Sequence, residues 1–338
     1  MQNEKEKIRY KLAYKHAIHR YLIQIKAQLG QNILAFGLTS LGSILVFYIP
    51  PLMIAKIVET ATSSTNPDHF SIYVPYILIF GISWLLGEVL WRVGVHFNIL
   101  AISKGVDQLY NQALKELLRK DIGFFQDNFA GSLTKKTLGY AHRYIDATDT
   151  LLYDVFPSII PALFAIIVLF FYSRWLALLL IFWLIIALSI FTPMIKKRRQ
   201  LVTIRESANN VVSGHVADIY GNIDAVRAHA SETIEQKRHS LHVTDYIKKL
   251  RNTWNYQNRR VDVVISPIYV LSNVSGLMLG IYLATKGVIS YPTILVVFAY
   301  YAGVTVFYWR FNGIYRRIES SLSDAAQFTE LLLDEPKV

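Results

Sequence analysis

The 338-residue sequence contains no cysteine, which excludes disulfides, thiol catalysis and cysteine-based metal sites. It contains no G-x-x-x-x-G-K-[ST] run, so no glycine-rich loop with its lysine is available to cradle nucleotide phosphates. Charge is scarce: 17% of residues are Asp, Glu, Lys or Arg, where an ordinary soluble domain has about a quarter. Proline is missing from two long stretches, 101–150 and 196–260. The first 29 residues hold seven Lys or Arg and no apolar core, a pattern that does not fit a cleaved signal peptide.

Apolar residues fill the space that charge vacates. They make up 53% of the chain and gather into six runs, at 33–57, 72–100, 151–171, 175–195, 262–285 and 292–312. A bilayer core about 30 Å thick takes roughly 20 apolar residues per helix, so each run predicts one membrane span. Six is even, which puts both termini on one side. The fold class expected is all-α, a polytopic membrane protein.

Orientation follows from the basic residues, because loops rich in Lys and Arg stay cytoplasmic. Of 35, only Lys56, Arg174 and Lys286 fall at outer ends, and Arg92 and Arg310 lie inside runs. The rest occupy the N-terminal arm, the two long gaps and the C-terminal end, so both termini are expected in the cytoplasm. The net charge of +11 then reads as topology and attraction to anionic lipid. Nucleic acid is not expected as a partner, because the charge is spread over several loops instead of forming one basic face.

The outer connections are short: Glu59 to Ile72, with Ser63, Ser64, Asn66 and Pro67 as turn formers, then Ser173-Arg174, then the residues around Gly287. The proline-free inner gaps are too long for structureless loops, and predict helices continuing out of the membrane. At 1.5 Å per residue, limbs of about 20 residues project roughly 30 Å. Two helical hairpins result, with tips near 122–133 and 216–228. In the N-terminal arm, Tyr14, Ile18, Leu22, Ile25 and Leu29 recur at helical spacing on a basic helix, as in helices that lie in the membrane interface.

The tips carry a resemblance. Phe124-Phe125 followed by Gly131, Leu133 and Lys136 resembles the Phe-Phe…Gly-x-Leu-x-x-Arg pattern of the first intracellular loop of ATP-binding cassette (ABC) exporters. The stretch Asp218-Ile219-Tyr220-Gly221-Asn222-Ile223 through Val226-Arg227 to Glu232 is similar to that family's second-loop pattern. The sequence departs from the family at Lys136, where Arg is usual, and at Tyr140, where an acidic residue is usual. The resemblance implies three parts: a cytoplasmic arm with an interfacial helix (1–29), a six-helix transmembrane domain (30–330) with intracellular loops at 101–150 and 196–260, and the start of a linker (331–338). It also implies a dimer of two transmembrane subunits, identical or not, whose tips seat in nucleotide-binding domains, fused or separate. Phe124, Phe125, Gly131, Asp218, Ile219, Tyr220, Gly221 and Ile223 are the coupling residues it points to. No cofactor is expected on this chain; ATP and magnesium belong to the partner nucleotide-binding domain. The closing Leu331-Leu332-Leu333-Asp334-Glu335-Pro336 imitates a magnesium-binding strand, but without a phosphate loop upstream such an Asp has nothing to act on.

Within the membrane, Glu88, Arg92 and His96 follow at i, i+4 and i+8, on one helical face. Intramembrane charges are costly and usually face a bundle interior or wet cavity, so Glu88 and Arg92 are either a wall of the substrate pathway or an internal ion pair. The sixth span carries Tyr300, Tyr301, Phe307, Tyr308, Trp309 and Phe311. Tyr308 and Trp309 fit an interfacial belt, while Tyr300 and Tyr301 lie deeper and are candidates for the pathway. Ser272, Asn273, Ser275 and Gly276 mark close helix packing. The histidine pairs His16/His19 and His239/His242 have no carboxylate at a recognised zinc spacing and are read as solvated, with no metal site. The function expected is the membrane-spanning part of an ATP-driven exporter, not an enzyme by itself. The alternative is an ion-coupled secondary transporter or channel, for which Glu88 is the one suitable midplane group.

Overall fold

The computed structural model describes residues 2–63 and 69–333. Ser64, Asn66 and Pro67 of the first outer connection, and Asp334, Glu335 and Pro336 of the closing stretch, lie outside the described residues. Among the described residues every regular element is helical. Helix α1 (Gln2–Ala27) precedes six rods: α2 (Leu29–Phe47) with α3 (Ile49–Ser63); α4 (Val74–Leu117); α6 (Ala130–Thr150) with α7 (Phe156–Tyr172); α8 (Arg174–Gly221); α10 (Glu232–Tyr256) with α11 (Val263–Thr285); and α12 (Thr293–Thr305) with α13 (Phe307–Leu331). Short helices α5 (Ile122–Asp127) and α9 (Ile223–Ala228) join α4 to α6 and α8 to α10. All six rods are long and apolar enough to cross a membrane, so the chain is a multi-pass membrane protein, with the spans where the apolar runs put them.

The interruptions have local causes. The first rod breaks at Tyr48, just before Pro50-Pro51, two residues without an N–H for the helix ladder. Wide, π-type turns occupy Leu151–Val155 and Gln257–Asp262, shortly before Pro157 and Pro267. Such turns take up backbone that a proline ring would otherwise strain.

The chain divides into two compact units, residues 1–178 with 275–338, and 179–274. In the first unit α2 and α4 pair closely because their facing residues are small. Gly42 and Gly87 meet so tightly that a Cβ on Gly42 would stand 2.7 Å from the Gly87 carbonyl oxygen. Gly94 abuts Thr39 and Ala35 in the same way, the small-residue packing that lets helices approach where lipid supplies no hydrophobic drive. Thr39, Ser40 and Ser43, all buried there, donate to carbonyls of their own helix, so the seam is polar yet satisfied.

Outside the apolar runs the same unit has a second core. Ala17 and Tyr21 of α1, Leu109, Ala113 and Leu117 of α4, Phe124 of α5, Leu133, Tyr140 and Tyr144 of α6, and Ala325 and Phe328 of α13 pack together. Tyr140, at the position where the family has an acid, lies in an aromatic column: its ring stacks on Phe328 at 4.6 Å and on Tyr21 at 5.5 Å. The Tyr21 hydroxyl donates to the Tyr140 carbonyl at 2.5 Å, and burial pushes that phenol far above its ordinary pKa, so it stays a donor. The Tyr140 hydroxyl is buried without a partner in hydrogen-bond geometry, although the Arg20 guanidinium acts on it electrostatically. Arg20 itself grips Glu116 with two bonds, at 2.7 and 2.8 Å. The face of α1 that packs is Ala13, Ala17, Tyr21 and Gln24, offset from the Tyr14–Leu29 stripe, whose Leu22 and Leu29 remain exposed.

In the second unit α8 and α10 are the limbs of a hairpin closed by α9. Buried residues recur along α8 at Leu180, Ala187, Phe191 and Ile195, and through the π-turn into α11 at Val261, Ile265, Ile268 and Ser272, at spacings of three, four and seven that define one helical face. Thr253 of α10 donates to the Leu201 carbonyl of α8 at 3.4 Å.

Candidate functional site

The first tip is built by its cap. Asp121 accepts from the Phe124 N–H at 3.0 Å, fixing the start of α5, and α5 ends at Asn128, whose side chain donates to the Phe124 carbonyl. The Phe-Phe pair then divides its labour. Phe124 turns into the core outside the apolar runs and is buried, whereas Phe125 is exposed. Gly131 is the second residue of α6, where a Cβ would stand 2.8 Å from the Phe129 ring. Phe129 and Ile122, which the motif did not single out, are 81% and 77% exposed and add to the apolar surface of this tip. Helical spacing could not find them, because they sit at the two ends of a helix only six residues long.

The second tip follows from where α8 ends. Helix α8 continues to Gly221, so Asp218, Ile219, Tyr220 and Gly221 form the last turn of the descending limb, and the short helix begins only at Ile223. Asn222 turns the corner: its backbone and side-chain N–H groups donate to the Asp218 carbonyl, at 3.1 and 2.9 Å. Beyond α9 the chain reverses through Ala230, at φ 48°, with the Ser231 N–H reaching back to the Val226 carbonyl at 2.9 Å, a left-handed helix end usually given to glycine. Tyr220 is 73% exposed. It borders a groove of about 300 Å³ with Val216, Ile219, Ile223 and Val226, edged by Glu232, Glu235 and His239.

The intramembrane candidates separate. Glu88, Arg92 and His96 all lie exposed on α4, away from the Gly87–Gly94 seam, and Glu88 and Arg92 make no ion pair with each other among the described residues. Tyr300 and Tyr301 are fully buried. The Tyr300 hydroxyl donates to the Tyr48 carbonyl at 2.8 Å and the Tyr301 hydroxyl to the Leu176 carbonyl at 2.6 Å, while the Tyr301 ring covers Gly276, where a Cβ would come within 2.4 Å of it. These two tyrosines pin helices together in this conformation instead of facing open space. Gly276 is the packing position its small size suggested.

A polar cavity of about 550 Å³ lies in the first unit between α6, the Leu151–Val155 turn and α13. Asp146, Asp149 and Asp154 line it with Arg143 and Arg317. Arg143 bridges Asp146 and Asp324, each at 2.7 Å, and Arg317 pairs with Asp154 at 2.6 Å. No local pattern announces it, because Arg317 and the serines of α13 reach it from a part of the chain far from α6.

The fold, the two stalks and the short helix at the end of each thus stand together in one chain. No curated protein matches the sequence. The family model described as the ABC transporter transmembrane region matches residues 33–308, a span that reaches from the first rod into the sixth and takes in both tips, and the chain therefore belongs to the family of ABC transporter transmembrane regions.

Proposed function

We propose that this chain is the membrane-spanning part of an ATP-driven exporter, working as a dimer and alternating between inward- and outward-facing states as nucleotide-binding domains close and part on its stalk tips. The observation that carries the reading is the end of each stalk. About 30 Å of helix beyond the lipid brings α5 and α9 to a place where no bilayer can cover them, yet Ile122, Phe125, Phe129 and Tyr220 are all exposed there. Apolar groups gathered at such a point mark a docking surface. In this reading Phe124 and Gly131 shape the first tip, Asp218 and Gly221 set the corner of the second, and Ile219, Tyr220 and Ile223 make its contact.

The packing of α1 against α13, and of α13 against α6, supports placing both termini on the side of the first stalk, which the basic residues make cytoplasmic. ATP and magnesium would be held by the partner domain, and the hydrolysis would be its chemistry. Glu88 and Arg92 are proposed as a wall of the substrate pathway, since an exposed charged face on a membrane helix is tolerable only where it meets water or another protein surface. The state equilibrium shifts only if the nucleotide-bound partner holds the tips differently in the two states.

The absence of native cysteine makes a direct test possible. A cysteine at Tyr220, carrying a photoreactive cross-linker in native membranes, should form an adduct with a segment that holds a phosphate loop, in the same polypeptide or another. ATP analogues should change its yield. Adducts only with lipid, or only with segments that bind no nucleotide, would sink the proposal.

A further inference from the structure

A cluster of imidazoles on the second stalk is not used by anything described so far. On α10, Glu235, His239 and His242 fall at i, i+4 and i+7 and so share a face, and His215 projects from α8 opposite them. The His215 ring lies 5.0 Å from that of His242 and 5.7 Å from that of His239. The Nδ1 atoms of His215 and His239 are both buried without a hydrogen-bond partner. Buried polar atoms in this condition call for a water or an ion. The other nitrogen of His215, Nε2, lies 3.5 Å from Glu235 Oε2, while Oε1 of that carboxylate is held by Arg238 at 2.7 Å.

We propose that His215, His239 and His242 bind a divalent late first-row transition ion of the zinc class, clamping the two limbs of the stalk together, with Glu235 as the carboxylate that orients the His215 ring. The spacing suits the chemistry. A ring ligated at a zinc–nitrogen distance of about 2.0–2.1 Å has its centroid about 3 Å from the ion, so two such rings at a tetrahedral angle stand about 5 Å apart. Three imidazoles leave a fourth position for water, and neutral nitrogen donors favour this class of ion over magnesium or calcium. A carboxylate on the far nitrogen of a ligating histidine is the usual outer partner of such sites. Among the described residues no group of three His, Cys, Asp or Glu side chains stands in an arrangement that could hold a metal ion, so binding requires the rings to swing about their side-chain torsions to close on one. The third member of the cluster arrives from another helix, so the spacing of His239 and His242 alone does not announce it.

The test is calorimetric titration of zinc chloride into the untagged chain in lipid nanodiscs, paired with metal analysis after dialysis. One zinc per chain is expected, saturating at micromolar concentration. His239→Asn with His242→Asn should abolish this binding, and His215→Asn, changed on the opposite limb, should do the same. Glu235→Gln should weaken it by about 10–100-fold. His16→Asn with His19→Asn should leave it unchanged. Spin labels at positions 211 and 246, introduced as cysteines, should show a narrower distance distribution with zinc than without. The proposal is overturned if the unaltered chain takes up no zinc, or if the stalk variants, eluting and melting as the parent does, keep it. It is equally overturned if the His16/His19 variant is the one that loses binding.

Discussion

Gly42 offers a perturbation whose size follows from the geometry. A Cβ there would meet the Gly87 carbonyl oxygen at 2.7 Å and the Trp91 nitrogen at 3.3 Å. Both are backbone atoms of a continuous helix, so no rotamer change can relieve the contact; α2 and α4 must move apart. A gap of about 0.5–1 Å already forfeits a quarter to a half of each dispersion contact along the seam, and overpacking of this kind costs about 1–3 kcal/mol. Replacing glycine by alanine inside a helix also gains about 1 kcal/mol of propensity, which would obscure the effect in a single variant. Gly37 is the control, since it lies in the same helix and a Cβ there meets nothing within 4 Å. The propensity gain cancels between Gly42→Ala and Gly37→Ala, and the difference isolates the clash. Thermal unfolding in nanodiscs, followed by the fluorescence of the six tryptophans, should place Gly42→Ala below Gly37→Ala by about 2–6 °C, at roughly 2 °C per kcal/mol. Equal midpoints would refute the close seam.

Three further outcomes follow from other parts of the chain. Arg20→Ala removes the two-bond grip on Glu116, with a loss of about 1–2 kcal/mol, and should raise hydrogen exchange along α1; Arg20→Lys should recover only part of the protection, since an ammonium cannot reproduce the planar fork. Asp121→Ala removes the cap of α5 at a cost of about 0.5–2 kcal/mol and should raise exchange at residues 122–127 while the spans stay protected, with Asp121→Asn largely restoring it. Glu88→Ala in the complete transporter should alter substrate-stimulated ATPase activity and spare both basal activity and melting temperature; equal loss of both activities with a lowered midpoint would speak for a structural role instead.

The spans were legible because twenty apolar residues in a row have few alternatives, and the stalks because proline-free gaps of that length must be helix. The run of small and polar residues on the fifth span also marked Gly276 as a packing residue, and the Tyr301 ring covers it. What escaped was whatever depends on partners distant in sequence. Tyr300 and Tyr301 have the look of pathway aromatics in sequence, whereas in this conformation their hydroxyls bond the Tyr48 and Leu176 carbonyls. Tyr140 read as a missing acid, although its ring completes a column with Tyr21 and Phe328. The corner at Asn222 has no local signal, because a helix that ends by side-chain and backbone bonds to the same carbonyl carries no proline or left-handed glycine to announce it. Ile122 and Phe129 flank a helix too short to show any period.

In the proposed exporter the second tip transmits work between ATP hydrolysis and the membrane spans, and Tyr220 is its largest exposed side chain. The most direct measurement is substrate moved per ATP hydrolysed by the complete transporter in proteoliposomes, comparing the parent with Tyr220→Ala and Tyr220→Phe. A large aromatic anchor usually dominates the energy of such a contact. Tyr220→Ala should therefore insert and bind substrate normally while moving several-fold less substrate per ATP, and Tyr220→Phe should stay near the parent. An unchanged ratio in Tyr220→Ala, at unchanged expression and stability, would contradict the account.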